Sequence, residues 1–441
     1  MFCHFGPNTF TGNEWGNGKE SVSLFNPTKM DCRQWARVAK AAGFKGIIIT
    51  AKHHDGFCLW PSRESTHTVR ESPWKDGKGD VLKELSDACR EQGLKFGVYV
   101  SPWDRNAPTY GTPEYNDVFA RTLQEVHTQY GDVFEQWFDG ACGEGPNGKK
   151  QIYDFPRFNK TVLDIHPDAV IFSDIGPGCR WMGNESGVNG KTCWSTLDLI
   201  APDGHHYGPG AAAPPQPVLN EGNEGAAWWI PAETDVSIRP GWFWRESEHP
   251  KSLQELLSIY YTSIGRNSLL LLNVPPDNRG LIDAEDSLRL TEFRSALDKI
   301  FANDLAKKAQ VSTASVLEPG RYSNYNPQNR EQTKLFFRKP VTFNRIVLQE
   351  DITYGQNVAS FRILIRKKGD KETTLVTTGT TIGHKRIVLL PMQKDVQEIV
   401  VDLILCREKP HLLPVQLYRD DIFDDTKLLE TTIHRTTDGL E

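Results

Sequence analysis

Short apolar segments alternate with amphipathic segments through most of the first 300 residues, and this alternation restricts the fold more than any other feature. Strand-like runs and helix-like runs follow one another, the strands at 46–50, 94–101, 134–140, 169–173 and 268–274 and the helices at 80–92, 113–130, 153–165 and 251–264. Strand, helix, strand in this order is typical of parallel βα units. Seven or eight such units predict a (β/α)8-like barrel over residues 1–304. A doubly wound sheet is less favoured, because no G-x-G-x-x-G follows a strand.

The pattern changes after residue 304. Short runs rich in β-branched residues are separated by turns, at 333–338, 343–348, 361–366, 386–390 and 398–405. Several short strands without intervening helices are typical of a β-sandwich. We therefore expect a second domain, a β-sandwich, over residues 305–441.

The composition indicates a globular protein and excludes several partners. The net charge is −6, with 38% hydrophobic and 24% charged residues, so neither nucleic acid nor an anionic membrane is expected as a partner. The longest apolar run, around 269–272, is too short to span a bilayer. The eight cysteines form no CxxC pair, which argues against a zinc ribbon or a thioredoxin-like site. No signal peptide is present although a strand begins almost at once, so we expect an exported protein (periplasmic, secreted or lysosome-like) whose leader is missing from this sequence.

The run Phe134-Glu-Gln-Trp-Phe-Asp139-Gly140 is the most informative segment for function. An aromatic strand ends in one carboxylate, and a glycine turns the chain directly after it. A barrel strand delivers catalytic side chains in this way, to the pocket at its C-terminal end. Aromatic walls around a carboxylate suit the apolar face of a sugar. The structural alternative is an aspartate that only caps the next element.

Other strand ends carry histidines and aromatic residues. His53 and His54 follow the strand at 46–50, and four further candidates lie in the same kind of position: His4, Glu14, Trp15 and Tyr99. Adjacent side chains on an extended chain point to opposite sides, so His53 and His54 are poor candidates to chelate one ion, and no metal is expected. Each imidazole nitrogen can instead serve one sugar hydroxyl. Together these residues indicate a polyhydroxylated substrate.

Glycoside hydrolysis needs a second carboxyl group beside the first. Several acidic residues after the 134–140 strand could supply it: Asp174, Glu185, Glu221, Glu224, Glu233 and Asp235. Glu185 lies between glycines in a loop, and Glu233 lies at a plausible strand entry. The residues alone do not separate Glu185 from Glu233.

Taken together, several blocks resemble the retaining α-L-fucosidases of glycoside hydrolase family 29. They are Phe5-Gly6, Glu14-Trp15, Thr50-Ala-Lys-His-His-Asp-Gly-Phe57, Trp60-Pro-Ser62, Tyr99, Trp137-Phe-Asp-Gly140, Gly265-Arg-Asn267 and Leu272-Asn-Val-Pro-Pro-Asp277, spread over roughly residues 2–300. The second domain is more loosely similar to the carbohydrate-binding-type modules of these enzymes.

The resemblance implies that Asp139 is the nucleophile of a covalent fucosyl-enzyme and that the histidines, Glu14, Trp15 and Tyr99 surround the fucose. The segment Arg180-Trp-Met-Gly-Asn-Glu185 is similar to the acid/base motif of the subfamily that cleaves branched α-1,3/1,4-fucosides. That similarity favours Glu185 as the acid/base and implies that Arg180 binds the substrate. An apolar wall for the methyl group of fucose is expected from Phe138 with Trp242 or Trp244.

The expected substrates are fucosylated oligosaccharides or glycoproteins, with no cofactor. Three alternatives stay open on the sequence. One is the broader subfamily, which acts on simple fucosides and on α-1,2 and α-1,6 linkages. Another is a sugar-binding protein without activity, against which the joint presence of Asp139 and Glu185 argues. The last is a metal-dependent hydrolase that uses His53, His54 and Asp55, which insensitivity to chelators would remove.

Overall fold

A closed barrel of eight parallel strands forms the first domain of the computed structural model, which describes residues 1–316 and 330–429. The strands of this domain are β1 (Phe2–Cys3), β2 (Gly46–Lys52), β3 (Lys95–Val100), β4 (Glu135–Trp137), β5 (Val170–Ser173), β6 (Cys179–Trp181), β7 (Thr196–Leu197), β8 (Trp228–Trp229), β9 (Ala232–Ser237) and β10 (Leu269–Asn273). All except β7 and β8 belong to the barrel, in which each strand pairs with the next and β10 pairs with β1. The predicted barrel is confirmed.

The α-helices of the described residues are α1 (Asn8–Thr11), α2 (Cys32–Ala41), α3 (Val81–Gln92), α4 (Glu114–Gln129), α5 (Phe155–Ile165), α6 (Gln216–Glu221), α7 (Leu253–Thr262) and α8 (Ala284–Ile300). Local sequence sets their ends. The Asp80 carboxylate caps the start of α3, and Gly93, at φ 61°, ends it in the left-handed conformation. Ser252 and Glu255 form a capping box at the start of α7. Within the described residues, no helix combines the length and the apolar character needed to cross a bilayer.

The connections around β4 to β9 depart from a regular βα repeat. Strand β4 has only three residues, so Asp139 lies two residues beyond it rather than on the predicted 134–140 strand. Residues 174–178, which link β5 to β6, contain no helix. Residues 182–231, between β6 and β9, contain α6 and the small antiparallel pair of β7 and β8. This long connection lies at the C-terminal ends of the barrel strands, where sites are built in such barrels.

The second domain is an antiparallel sheet with its own core. Its strands are β11 (Gln310–Ser315), β12 (Glu331–Leu348), β13 (Val358–Lys367), β14 (Thr374–Gly379), β15 (Arg386–Cys406) and β16 (Gln416–Tyr418). The four short strands predicted at 333–338, 343–348, 386–390 and 398–405 are in fact two long ones, β12 and β15. Register shifts interrupt their pairing between Phe336 and Arg345, and such bulges bend a strand. The predicted order of fold classes, a barrel followed by an all-β domain, is confirmed.

The predicted boundary between residues 304 and 305 lies between the end of α8 and the start of β11. Residues 317–329 and 430–441 of the predicted second domain lie outside the described residues. All eight cysteines are free thiols, and seven of them are buried.

A buried ion pair of the second domain also contacts the barrel. The Arg345 guanidinium on β12 donates to the Asp420 carboxylate at 3.0 Å, and the side chains of both residues are fully buried. The hydroxyl of Tyr261 on α7 donates to the same carboxylate at 2.6 Å. Arg345 also pairs with Asp425 at 2.6 Å, but the Asp425 side chain is 43% exposed. Removing Asp420 therefore leaves a fully buried guanidinium with one partly solvated partner, which is destabilising.

We predict that Asp420→Ala lowers the free energy of unfolding by about 3–5 kcal/mol. The matched control is Asp421→Ala, because Asp421 pairs with Arg419 at the surface and both side chains are more than half exposed. The control should change stability by less than about 0.5 kcal/mol. Urea unfolding curves of the two variants check this, and equal stabilities would contradict the assigned importance of the Arg345 pair.

Candidate active site

Asp139 lies at the rim of the barrel with both carboxylate oxygens in contact with fixed donors. The Ala141 amide donates to Oδ1 at 2.8 Å, and the Tyr99 hydroxyl donates to Oδ2 at 3.0 Å. The side chain is 27% exposed, so the carboxylate still faces the open cleft. Two fixed donors therefore orient a carboxylate that a ligand can reach.

Three histidines beside Asp139 are held in the neutral form. Burial lowers the pKa of His4 to about 3, although its hydrogen bond to Asn273 opposes the shift. Burial is also the main cause that lowers the pKa of His53 and of His54, and for His54 the Asp139 charge opposes it. At neutral pH these rings are therefore uncharged imidazoles, each of which can donate one hydrogen bond and accept another.

Their hydrogen bonds fix the tautomers of two of these rings. His4 Nδ1 lies 2.9 Å from the Asn273 side-chain oxygen, which is an acceptor, so Nδ1 carries the proton. His54 Nδ1 lies 2.7 Å from the Ser101 hydroxyl, which itself donates to a backbone carbonyl. In both rings Nε2 is then an acceptor. His54 Nε2 lies 3.6 Å from Asp139 Oδ2, too far for a hydrogen bond but well placed to accept one from a sugar hydroxyl.

Aromatic side chains form the walls around these groups. Trp15 is 47% exposed and packs edge-to-face on His54. Trp242 lies 4.9 Å from the His4 ring. The Glu14 carboxylate accepts the Trp242 amide at 3.0 Å and also pairs with Arg245, so Glu14 holds the Trp242 loop in place. The cleft therefore combines polar donors with open indole faces, a combination that suits carbohydrate.

Glu185 lies in the loop after β6 and contacts this wall. The indole N–H of Trp242 donates to Glu185 Oε2 at 3.0 Å. One side of Glu185 is open to solvent, but the cleft walls remove much of the hydration of its carboxyl group, and this desolvation is the main cause that raises its pKa. The Trp242 hydrogen bond opposes the rise, and the charges of Asp139 and Glu14 add to it. Glu185 is thus biased toward the protonated form.

Two further carboxyl groups lie near these residues. Burial and the Asp139 charge raise the pKa of Asp174 to about 6, although Asp174 accepts the Gly210 amide at 2.7 Å. Burial, followed by the charge of Glu185, raises the pKa of Asp235, which accepts the Trp181 indole N–H at 3.0 Å. Both carboxyl groups have fixed partners inside the protein and are buried.

Glu233, the alternative to Glu185, lies inside the barrel. It is only 3% exposed, and its Oε1 accepts the Trp137 indole N–H at 2.9 Å. Burial is the main cause that raises its pKa and that of its neighbour Glu135. Its place near the start of β9 puts it below the rim that carries Asp139. In this position Glu233 supports Trp137, which stacks on Tyr99.

One group of side chains in the described part of the chain has the spacing of a metal site. Ligand atoms of Glu135, Cys179 and Glu233 lie within 4.8 Å of one another. Burial raises the pKa of all three, and protonated carboxyl and thiol groups are poor ligands. A proton shared between the carboxyl groups of Glu135 and Glu233 explains why these side chains lie so close together. The His53 and His54 pair has no third ligand of this kind within the described residues.

Three predicted contact residues lie away from the cleft. The Arg180 guanidinium is fully buried and donates to the carbonyls of Leu219, Ile230 and Trp194, so it has no open face for a sugar and instead ties the β6 loop together. Trp244 lines a separate cavity of about 420 Å³ with Arg239. Phe138 points outward and packs on Phe119 and Phe158. Of the residues predicted to contact the methyl group of fucose, only Trp242 faces the site.

Three residues of the site were not predicted. Phe243 packs edge-to-face on His4 and His53 at 5.4 and 5.1 Å. Asn273 fixes His4, and Ser101 fixes His54. Asn273 ends β10 and Ser101 directly follows β3, so their place at strand ends was a usable signal. Nothing in the local pattern distinguishes Phe243 from an ordinary core residue.

A parallel barrel whose rim carries carboxyl groups, neutral imidazoles and open indoles is the site of a glycoside hydrolase. The α-L-fucosidase family model matches residues 1–299. The chain therefore belongs to the α-L-fucosidase family, glycoside hydrolase family 29.

Relatives and solved structures agree with this assignment. Alpha-L-fucosidase 1 of Arabidopsis thaliana is 42% identical over 99% of this chain and 88% of its own length. The crystal structure of a glycoside hydrolase 29 family member from an unknown rumen bacterium superposes with a TM-score of 0.85 at 40% identity, covering 96% of this chain and 75% of that one. A Ruminococcus gnavus family 29 fucosidase in complex with fucose gives a TM-score of 0.82 at 32% identity, covering 95% and 92%. The protein is an α-L-fucosidase by family.

Proposed function

We propose that this α-L-fucosidase is an exo-acting, retaining enzyme in which Asp139 is the nucleophile and Glu185 is the acid/base. The proposal rests on the contrast between the two carboxyl groups. Asp139 is oriented by two donors and faces the cleft. Glu185 has a raised pKa, to which the Asp139 charge contributes. A retaining glycosidase needs one ionised and one protonated carboxyl group in this relation.

In the first step, an Asp139 oxygen attacks the anomeric carbon of the terminal fucose. The bond from that carbon to the leaving oxygen breaks, and Glu185 gives its proton to the leaving oxygen. The product is a covalent ester of fucose with Asp139 and a free aglycone. Neutral His4, His53 and His54 orient the sugar hydroxyls without adding charge to the site.

In the second step, Glu185 acts as a base. Formation of the ester removes the negative charge of Asp139, one of the causes that raise the Glu185 pKa, so Glu185 stays ionised more readily. It takes a proton from water while the water oxygen attacks the anomeric carbon. The bond to Asp139 breaks, and α-L-fucose leaves with both carboxyl groups restored.

For the leaving-group side, we propose a preference for α-1,3/1,4-linked fucose on branched glycans. The long connection 182–231 supports this, because it carries Glu185 and reaches Asp139 from the side. The Gly210 amide in this connection bonds Asp174, and a Cβ on Gly210 would lie 2.3 Å from the carbonyl oxygen of Gly140. A wall this close to the nucleophile can select the shape of the aglycone.

We predict that azide restores activity to Glu185→Ala and gives α-fucosyl azide, since azide replaces water in the second step. Without azide, turnover of oligosaccharide should fall by about 10²- to 10⁴-fold. Asp139→Ala should instead give β-fucosyl azide, by direct displacement. NMR of the products from an activated fucoside distinguishes these results. The control is Glu233→Ala, which should not respond to azide. Rescue of Glu233→Ala but not of Glu185→Ala would overturn the acid/base assignment.

We predict that Trp242→Phe raises the upper apparent pKa of the kcat/KM profile. The indole N–H stabilises the ionised form of Glu185, so its loss favours the protonated acid and keeps the enzyme active to higher pH. Because Glu185 is partly exposed, solvent replaces part of the lost hydrogen bond, and we expect a small upward displacement of this pKa. Trp15→Phe is the control and should leave the upper apparent pKa of the profile unchanged. An upper apparent pKa that is unchanged or lower in Trp242→Phe would contradict the role of Glu185.

We predict that kcat/KM for a branched Lewis-type trisaccharide exceeds that for a simple aryl fucoside, because only the branched aglycone uses the wall formed by 182–231. Competing digests with quantified fucose release measure the ratio. The reverse ratio, with release of α-1,2- or α-1,6-linked fucose, would favour the broader subfamily instead.

A further inference from the structure

The segment that follows Glu185 has almost no regular secondary structure, yet most of it is buried. Residues 187–190 and 193–195 are buried, and only β7 at the far end belongs to a strand. Only a few hydrogen bonds lie within the loop, among them the bond from Asn184 to the Val188 carbonyl. The elements that pack against the loop therefore contribute to its position.

Side chains of the second domain supply a large part of that support. Gln356 accepts the Ser195 amide at 2.7 Å through Oε1 and donates to the Cys193 carbonyl at 2.8 Å through Nε2. The Thr381 hydroxyl accepts the Cys193 amide at 2.8 Å. Gln356 is 6% exposed and Thr381 is 1% exposed. Each of these hydrogen bonds is thus shielded from water, and losing one would leave a buried polar group unsatisfied.

Asn267 lies between the second domain and the same segment. Its side-chain amide donates to the Cys193 carbonyl and to the Ser195 hydroxyl, both at 3.1 Å, and its oxygen accepts the His384 amide at 2.7 Å. The residue has φ 62°, in the left-handed region. A Cβ on Gly383 would lie only 2.3 Å from its Cγ, so the second domain approaches it closely.

Further hydrogen bonds tie the residues between Glu185 and this contact to the barrel. The Arg266 guanidinium donates to the Asn189 carbonyl at 2.7 Å. The Asn189 amide donates to the Thr262 carbonyl at 2.9 Å, and the Thr262 hydroxyl donates to the Gly187 carbonyl at 2.9 Å. Asn184, next to Glu185, donates to the Val188 carbonyl at 3.1 Å. The residues that follow Glu185 are therefore tied to Arg266 and Thr262 of the barrel, and Arg266 is next in the chain to Asn267, which contacts the second domain.

We infer that the second domain is a working part of the active site and that Gln356 and Asn267 are positioning residues for Glu185. This inference rests on the proposed role of Glu185 as the acid. The domain fixes the carboxyl group at the distance from which it can protonate the leaving oxygen. Displacement of a catalytic group by even about 1 Å is costly to the rate.

The test compares substrates that need the acid to different degrees. The dinitrophenolate of 2,4-dinitrophenyl α-L-fucoside departs without protonation, whereas the alcohol of the branched trisaccharide does not. For Gln356→Ala we expect kcat/KM to fall about 10-fold on the trisaccharide, part of the 10²- to 10⁴-fold of a general acid, and less than 2-fold on the dinitrophenyl fucoside. An equal fall on both substrates would overturn the inference, because a purely structural loss lowers the amount of active enzyme alike for every substrate.

Two further variants keep the test decisive. Tyr261→Phe removes the hydrogen bond to Asp420 elsewhere in the same interface, and it should lower stability while leaving the ratio of the two substrates unchanged. Gln356→Met keeps most of the side-chain volume and buries no charge, so it should fold if Gln356→Ala does not, and it should show a fall of the same selective kind. An unchanged ratio in Gln356→Met would overturn the inference.

Glu185→Ala, measured on the same two substrates, separates this inference from the proposed function. If Glu185→Ala lowers kcat/KM equally on both substrates, Glu185 is not the acid and the proposed function fails. If Glu185→Ala lowers kcat/KM selectively on the trisaccharide but neither Gln356 variant does so, the proposed function stands and only the positioning role fails.

Discussion

The active site exists because eight parallel strands close into one barrel. Because the strands are parallel, their C-terminal ends meet on a single rim. Residues that are far apart in the chain, such as His4, Tyr99 and Asp139, therefore become neighbours at this rim. Asn273 shows how closure completes the site, since it ends β10 and fixes His4, which follows β1, across the seam of the barrel.

Burial determines the chemistry that this rim can perform. The same desolvation that keeps His4 and His53 neutral raises the pKa of Glu185 and of Asp174. The Asp139 carboxylate accepts one hydrogen bond from a hydroxyl and one from a backbone amide, and the cleft stays open beside it. Below the rim, Glu233 supports Trp137 and through it Tyr99, so the donor to Asp139 rests on a packed aromatic layer.

The sequence was most informative where one local rule decides the structure. Caps, glycine stops and apolar alternation located the helices and strands of the barrel, and strand ends pointed to His53, His54 and Asp139. It was least informative where long-range packing decides. Arg180 lies in a motif that suggests a contact with the substrate, but three backbone carbonyls surround its guanidinium. Trp242 and Trp244 are two residues apart, yet only Trp242 faces Glu185, and the two runs at 333–338 and 343–348 join into one strand through bulges.

Covalent trapping of the fucosyl-enzyme decides whether Asp139 attacks the sugar. A 2-fluoro-fucosyl fluoride slows hydrolysis of the intermediate, and peptide mapping by mass spectrometry then locates the attached sugar. If Asp139 is the nucleophile, a single label lies on the peptide that contains Asp139, and Asp139→Ala carries no label. A label on Asp174, Glu185 or Glu233, or stoichiometric labelling of Asp139→Ala, would show that another residue attacks the sugar.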